Sequence, residues 1–179
     1  DSKYYKKINI EDLLRTDYSN EKLFAEAVEC TPNDTVSRRE IWEENPQIVL
    51  SDGTLNSKFD VIRTITTKQD RNPNSGNLYF DCGIEGRGKF RYLTPRECFR
   101  LMGVDDTDID AIQQAGIPNS QQYKLAGNSI VVDVLYHIFR KAFCKEPQPF
   151  YCVKLTNNMT YREPKSTVVA LKLNYERKE

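Results

Sequence analysis

The sequence predicts an α+β fold: a small irregular antiparallel β unit, then short helices, then one strongly amphipathic helix. Three observations carry this. Between Gln47 and Leu93, short β-branched and aromatic pieces alternate with turn-forming residues. Thr94-Pro95-Arg96-Glu97 combines a capping threonine, a proline at the first helical position and a glutamate at the third. Ile130, Val131, Val134, Leu135, Ile138, Phe139 and Ala142 then recur at helical spacing. With 179 residues, the chain suits one domain, or one medium and one small. Its 39% hydrophobic content and balance of 26 basic against 26 acidic side chains exclude wholesale disorder.

In chain order, Ile8–Val28 places Ile10, Leu13, Leu14, Leu23, Phe24, Ala27 and Val28 as for one or two short helices, with Asn9 or Ser19 as caps. Pro32 to Pro46 is polar around the lone Trp42, a residue type that usually anchors a local cluster. Strand-like pieces follow at Gln47–Leu50, Phe59–Thr67, Asn77–Cys82 and Lys89–Leu93; the loop Asp70–Gly76 is dense in turn formers. A helix begins at Pro95, buries Cys98, Phe99, Leu101 and Met102, and ends at Gly103 through a positive φ. Asp105–Ala115 reads as an acidic amphipathic helix stopped by Gly116-Ile117-Pro118-Asn119. Ser120 caps a further turn through Gln121–Ala126, and Gly127-Asn128-Ser129 starts the apolar-striped helix, which needs a large surface to pack on. Beyond Pro147 and Pro149, Phe150–Leu155 and Ser166–Tyr175 are expected to pair as a hairpin.

Several function classes drop out. The longest apolar runs, such as Ile130–Val132 and Val168–Leu171, fall far short of the roughly 20 residues of a transmembrane helix, so no membrane partner is expected. Asp1–Lys7 has no apolar signal-peptide core, and a chain that opens without methionine is expected to begin mid-protein. The five cysteines never form C-x-x-C, which predicts neither disulfides nor zinc and points to a reducing, cytoplasmic setting. The single histidine, His137, lies in an apolar run and reads as a helix residue rather than a metal ligand. The Asn158-Met159-Thr160 glycosylation triplet is read as chance. No phosphate loop, dinucleotide fingerprint or Ser/His/Asp set is present. Cys98, one turn into its helix among apolar neighbours, reads as a buried hydrophobe.

The neutral total hides segregated charge. Residues 1–60 hold 8 basic and 13 acidic side chains, residues 61–100 hold 8 and 4. The basic stretch mixes Arg63, Lys68, Arg71, Arg87, Lys89, Arg91, Arg96 and Arg100 with threonine, asparagine and glutamine. Such side chains suit phosphate oxygens and base edges, or equally a solvated face. The pI near 6.8 argues that a nucleic-acid binder of this kind needs a larger partner.

Two stretches are far more specific. Arg91-Tyr92-Leu93-Thr94-Pro95-Arg96-Glu97-Cys98-Phe99-Arg100-Leu101-Met102-Gly103 resembles motif IX of the bacterial DNA (cytosine-5) methyltransferases, and Tyr123–Leu135, containing Gly127-Asn128-Ser129-Ile130-Val131, resembles their motif X. Upstream, Arg63–Gly76 is similar to the end of the target-recognition region that precedes motif IX. Together these cover residues 63–142; residues 1–62 fall where the variable recognition region would be, and residues 143–179 have no clear counterpart.

The resemblance implies a division into a target-recognition domain over 1–118, a motif X helix over 119–143 that belongs with a Rossmann-like catalytic domain absent from this chain, and an extension over 144–179. It implies S-adenosyl-L-methionine as cofactor, touched by Asn128, Ser129 and Ile130. Double-stranded DNA is the implied substrate, with Arg63, Thr64, Thr66, Lys68, Gln69 and Arg71 as candidate contacts; either Thr64 or Thr66 matches the family's backbone-contacting threonine. It gives Thr94, Pro95, Arg96 and Glu97 a scaffolding role, with Arg96 bonding backbone carbonyls. The family's catalytic Pro-Cys and Glu-Asn-Val motifs, its Gln-x-Arg-x-Arg motif and its glycine-rich cofactor loop occur nowhere in the sequence. The chain is therefore expected to hold no catalytic residue and to be inactive alone, needing a catalytic half with motifs I–VIII in a bacterial cytoplasm. The rival expectation is a non-catalytic DNA-binding specificity or regulatory module derived from the family.

Overall fold

The computed structural model describes residues 9–56 and 62–143. Seven helices and three strands occur among them: α1 (Ile10–Leu13), α2 (Glu21–Glu29), α3 (Val36–Glu44), β1 (Gln47–Val49), β2 (Asn77–Tyr79), β3 (Phe90–Tyr92), α4 (Pro95–Leu101), α5 (Asp106–Gln114), α6 (Asn119–Asn128) and α7 (Val132–Phe143). The chain is thus α+β. The hairpin expected over 150–175 lies outside the described residues, as do residues 59–61 of the second strand-like piece.

The sheet differs from the expectation of a purely antiparallel unit. Its order is β1-β2-β3, with β2 antiparallel to β3 but parallel to β1. A parallel neighbour requires a long crossover rather than a hairpin. Residues 50–76 supply one, so the expected strand there is displaced: residues 62–66 form no strand and Thr67–Asn72 is a turn. Among the described residues of that stretch, Ile65 is buried in the core with Val49, Leu78, Leu93, Phe99 and Tyr123, and Leu55 and Ile62 pack against it.

Local chemistry explains the helices. Asn20, not Ser19, caps α2 by accepting the N–H groups of Lys22 and Leu23. In the polar Pro32–Pro46 segment an unexpected helix, α3, is capped by Thr35. Its Trp42 stacks on Phe90 with ring centroids 5.0 Å apart, which fastens α3 to β3. At α4 the capping box is complete, and Gly103 follows with φ +80°. α6 begins at Asn119 rather than near Ser120 and runs on through Asn128, so Gly127-Asn128 closes α6 instead of opening the striped helix. That helix, α7, starts at Val132, whose N–H donates to Met102 O at 3.0 Å and so hangs α7 from the end of α4. α6 packs against α4, with Tyr123 and Ala126 in the shared core. None of the described helices is long and apolar enough to cross a membrane.

Candidate functional site

The scaffold beneath the candidate site is an ion pair removed from water. Arg91 on β3 and Glu97 in the first turn of α4 are each 0% exposed, and two parallel bonds join them, Nη1 to Oε2 and Nη2 to Oε1, both 2.8 Å. The remaining valences are filled. Arg91 donates to Tyr18 Oη (2.9 Å), Tyr92 O (2.9 Å) and Arg15 O (3.3 Å); Glu97 accepts the N–H groups of Thr94 (2.7 Å) and Arg15 (2.8 Å). Burial pushes the Glu97 carboxyl toward the neutral form, but the Arg91 charge and these bonds outweigh it and hold the pKa below the ordinary glutamate value. For Arg91, burial is likewise opposed and overcome by Glu97, which holds the guanidinium charged. This cluster ties β3, α4 and the segment after α1 into one body.

Arg96 corrects an expectation. It bonds side chains of α5, Asp106 Oδ1 (3.1 Å), Asp110 and Gln113 Oε1 (2.8 Å), rather than backbone carbonyls. The carbonyl-bonding arginine of this stretch is Arg91, whose burial the sequence reading missed. Tyr123 completes the frame by donating to Leu93 O at 2.7 Å. Cys98 is wholly buried, and burial pushes its thiol pKa well up, so it stays protonated as an inert core residue.

Much of the basic excess of residues 61–100 is used internally. Besides Arg91 and Arg96, Arg87 donates to Thr31 O (2.6 Å), Lys89 pairs with Asp81 (3.2 Å) and Arg100 with Asp106 (2.7 Å). Arg63, Lys68 and Arg71 remain on the surface of the turn between β1 and β2, with Thr64 exposed and Thr66 half-buried. Arg71 has only a loose pair with Asp70 at 3.5 Å, and its carbonyl accepts from Arg38 at 3.2 Å. Gln69 departs from its expected outward position: it is 0% exposed, and neither amide atom has a hydrogen-bond partner among the described residues. Gln69 lies within the Thr67–Asn72 turn, whose Lys68 and Arg71 are exposed.

Against this turn stands the end of α6. Gly127 abuts the Thr66–Thr67 peptide, so the candidate DNA contacts and the candidate cofactor contacts are brought together although 60 residues separate them in sequence. Asn128, Ser129 and Ile130 follow at the surface, Ile130 56% exposed. Ser129 Oγ donates to Ala126 O at 3.0 Å, and the Asn128 amide makes no hydrogen bond within the described residues. A free amide beside an exposed aliphatic side chain suits one wall of a pocket for a ligand of mixed polar and apolar character. α7 follows in the chain with its apolar residues exposed: Val134, Ile138 and Phe139 are each about half exposed, and α7 buries no residue. His137 is exposed on this helix, its ring 5.3 Å from that of Tyr136.

The model of one protein family, C-5 cytosine-specific DNA methylase, matches residues 2–144. The chain belongs to that family. An orphan methyltransferase of Bacillus phage SPR is 55% identical over 53 residues, 30% of this chain and 12% of that protein. One of Bacillus phage rho11s is 51% identical over 53 residues, 30% of this chain and 10% of that protein. A type II methyltransferase of Lactococcus lactis subsp. cremoris is 39% identical over 86 residues, 48% of this chain and 22% of that protein. The matched segments are thus small parts of these methyltransferases.

Proposed function

We propose that this chain is the DNA-recognition and cofactor-pocket-completing portion of a DNA (cytosine-5) methyltransferase and is inactive by itself. One observation carries the reading: a family match over residues 2–144 in a sequence that has no Pro-Cys nucleophile and no Glu-Asn-Val motif. The complete enzyme flips a cytosine out of the duplex and attacks it covalently with a cysteine of a catalytic half carrying motifs I–VIII, as another subunit or another part of the same protein.

In this reading residues 1–118 choose the sequence. Arg63, Lys68 and Arg71 meet the phosphate backbone, where basic side chains fix register without reading bases, and Thr64 or Thr66 adds a hydroxyl contact. Residues 119–143 complete the cofactor side: Asn128 and Ser129 offer polar atoms and Ile130 an apolar contact. S-adenosyl-L-methionine, when bound, supplies the methyl group that ends on cytosine C5. Thr94, Pro95, Arg96 and Glu97 keep the two parts in register, and the exposed face of α7 docks on the catalytic half. The test is direct. The purified chain should transfer no methyl group to mixed-sequence duplex DNA and bind S-adenosyl-L-methionine without useful affinity; methyl incorporation above a blank would overturn the reading.

A further inference from the structure

Gly127 has no conformational reason to be glycine. Its φ is not positive and it lies inside α6, where alanine is the better helix former. The reason is its neighbour. A methyl group in place of the Gly127 hydrogen would stand 2.8 Å from Thr66 O and closer still to Thr67 N and Thr66 C, whereas ordinary contact begins near 3.4 Å. The obstacle is a backbone peptide, not the end of a flexible side chain, so relief requires moving the main chain.

Which side yields is decided by how each is bonded. α6 is pinned by Tyr123, bonded to Leu93 O, and by fully buried Ala126. The turn buries Ile65 and Gln69, but the Gln69 amide has no hydrogen-bond partner among the described residues, and the side-chain bonds that tie the turn down are exposed: Asn74 Nδ2 to Thr64 O at 3.4 Å and Arg38 Nη1 to Arg71 O. The turn moves, and Thr64, Thr66 and Lys68 move with it. We infer that Gly127 is a positioning residue: its missing side chain lets α6 seat the Thr64–Lys68 turn at a fixed distance from Asn128–Ile130. This rests on the functional reading above.

The experiment uses the complete methyltransferase containing this chain, as Gly127→Ala and Gly127→Ser, assayed for methyl transfer to duplex DNA. Misplacing a substrate-positioning element by a fraction of an ångström to an ångström lowers kcat by about tenfold or more. The expected result is that loss, with the KM for S-adenosyl-L-methionine unchanged because Asn128–Ile130 have not moved. Retained kcat, or a raised cofactor KM with normal kcat, overturns the inference. Should both variants fail to fold, hydrogen exchange of the unaltered enzyme decides: duplex DNA should slow exchange over residues 125–129 as well as 64–68, and protection confined to 64–68 overturns it. An unaltered enzyme that neither binds DNA nor transfers methyl groups would instead overturn the functional reading itself.

Discussion

Glu97 is the side chain on which the scaffold converges, since it caps α4, neutralises Arg91 and accepts the Arg15 amide. Glu97→Gln removes one charge of a fully buried pair and should cost about 3–5 kcal/mol, measured by urea unfolding. The pH dependence follows from the lowered folded-state pKa. The unfolded glutamate titrates near about 4.3, so the stability from ionised Glu97 is fully present above that pH and is lost as pH falls through the lower folded-state value. Glu97→Gln should flatten the acid limb of the stability curve in that window; an unchanged limb would mean that other carboxylates govern acid unfolding. Gln69 makes the opposite case. Its buried amide has no partner among the described residues, so Gln69→Met, nearly the same shape, should leave stability unchanged or raise it. A loss of more than about 1 kcal/mol in urea unfolding would indicate a water-bridged amide. The capping threonine, proline and glutamate were legible in the sequence because their chemistry is local. The interior placement of Arg91 was not, since its partners Tyr18 and Arg15 are more than 70 residues away.

The elements were legible where the signal was capping or a strong stripe. α4 and the amphipathic character of α7 follow directly from sequence. α3 escaped notice because its apolar positions are few and the packing of Trp42 on Phe90 decides it from a distance. The parallel β1–β2 pair escaped because strand periodicity carries no information about direction. The boundary between α6 and α7 was misplaced because Gly127 looks like a turn residue, while its use is the close approach to Thr66–Thr67. Two outcomes belong at this scale. Lys68→Ala in the assembled enzyme should weaken binding to all DNA sequences alike and lower the salt dependence by about one counterion; an unchanged salt slope with lowered stability would make Lys68 structural. Val134→Asp should leave the recognition part folded by circular dichroism, since Val134 is about half exposed, yet abolish assembly with a catalytic half, where an unpaired carboxylate would be buried. Unfolding of the whole chain would mean that α7 belongs to the core of this part.

At the scale of the whole molecule, a well-packed scaffold carries two surfaces that it does not itself use. One is the cationic segment of Arg63, Lys68 and Arg71; the other comprises exposed Asn128–Ile130 and α7, whose exposed Val134, Ile138 and Phe139 are more apolar than a solvated face needs. In the proposed function both surfaces have one explanation, recognition of DNA and docking to a catalytic half; the family match over residues 2–144 and a sequence without a Pro-Cys dipeptide support that proposal. The most direct measurement is methyl transfer to mixed-sequence duplex DNA by this chain alone, by a catalytic half carrying motifs I–VIII alone, and by the two together. Activity only in the mixture is the expected result. Activity of this chain alone, or a stable complex of the two that binds DNA and transfers no methyl group, would contradict the account, the second outcome marking the chain as a non-catalytic specificity module.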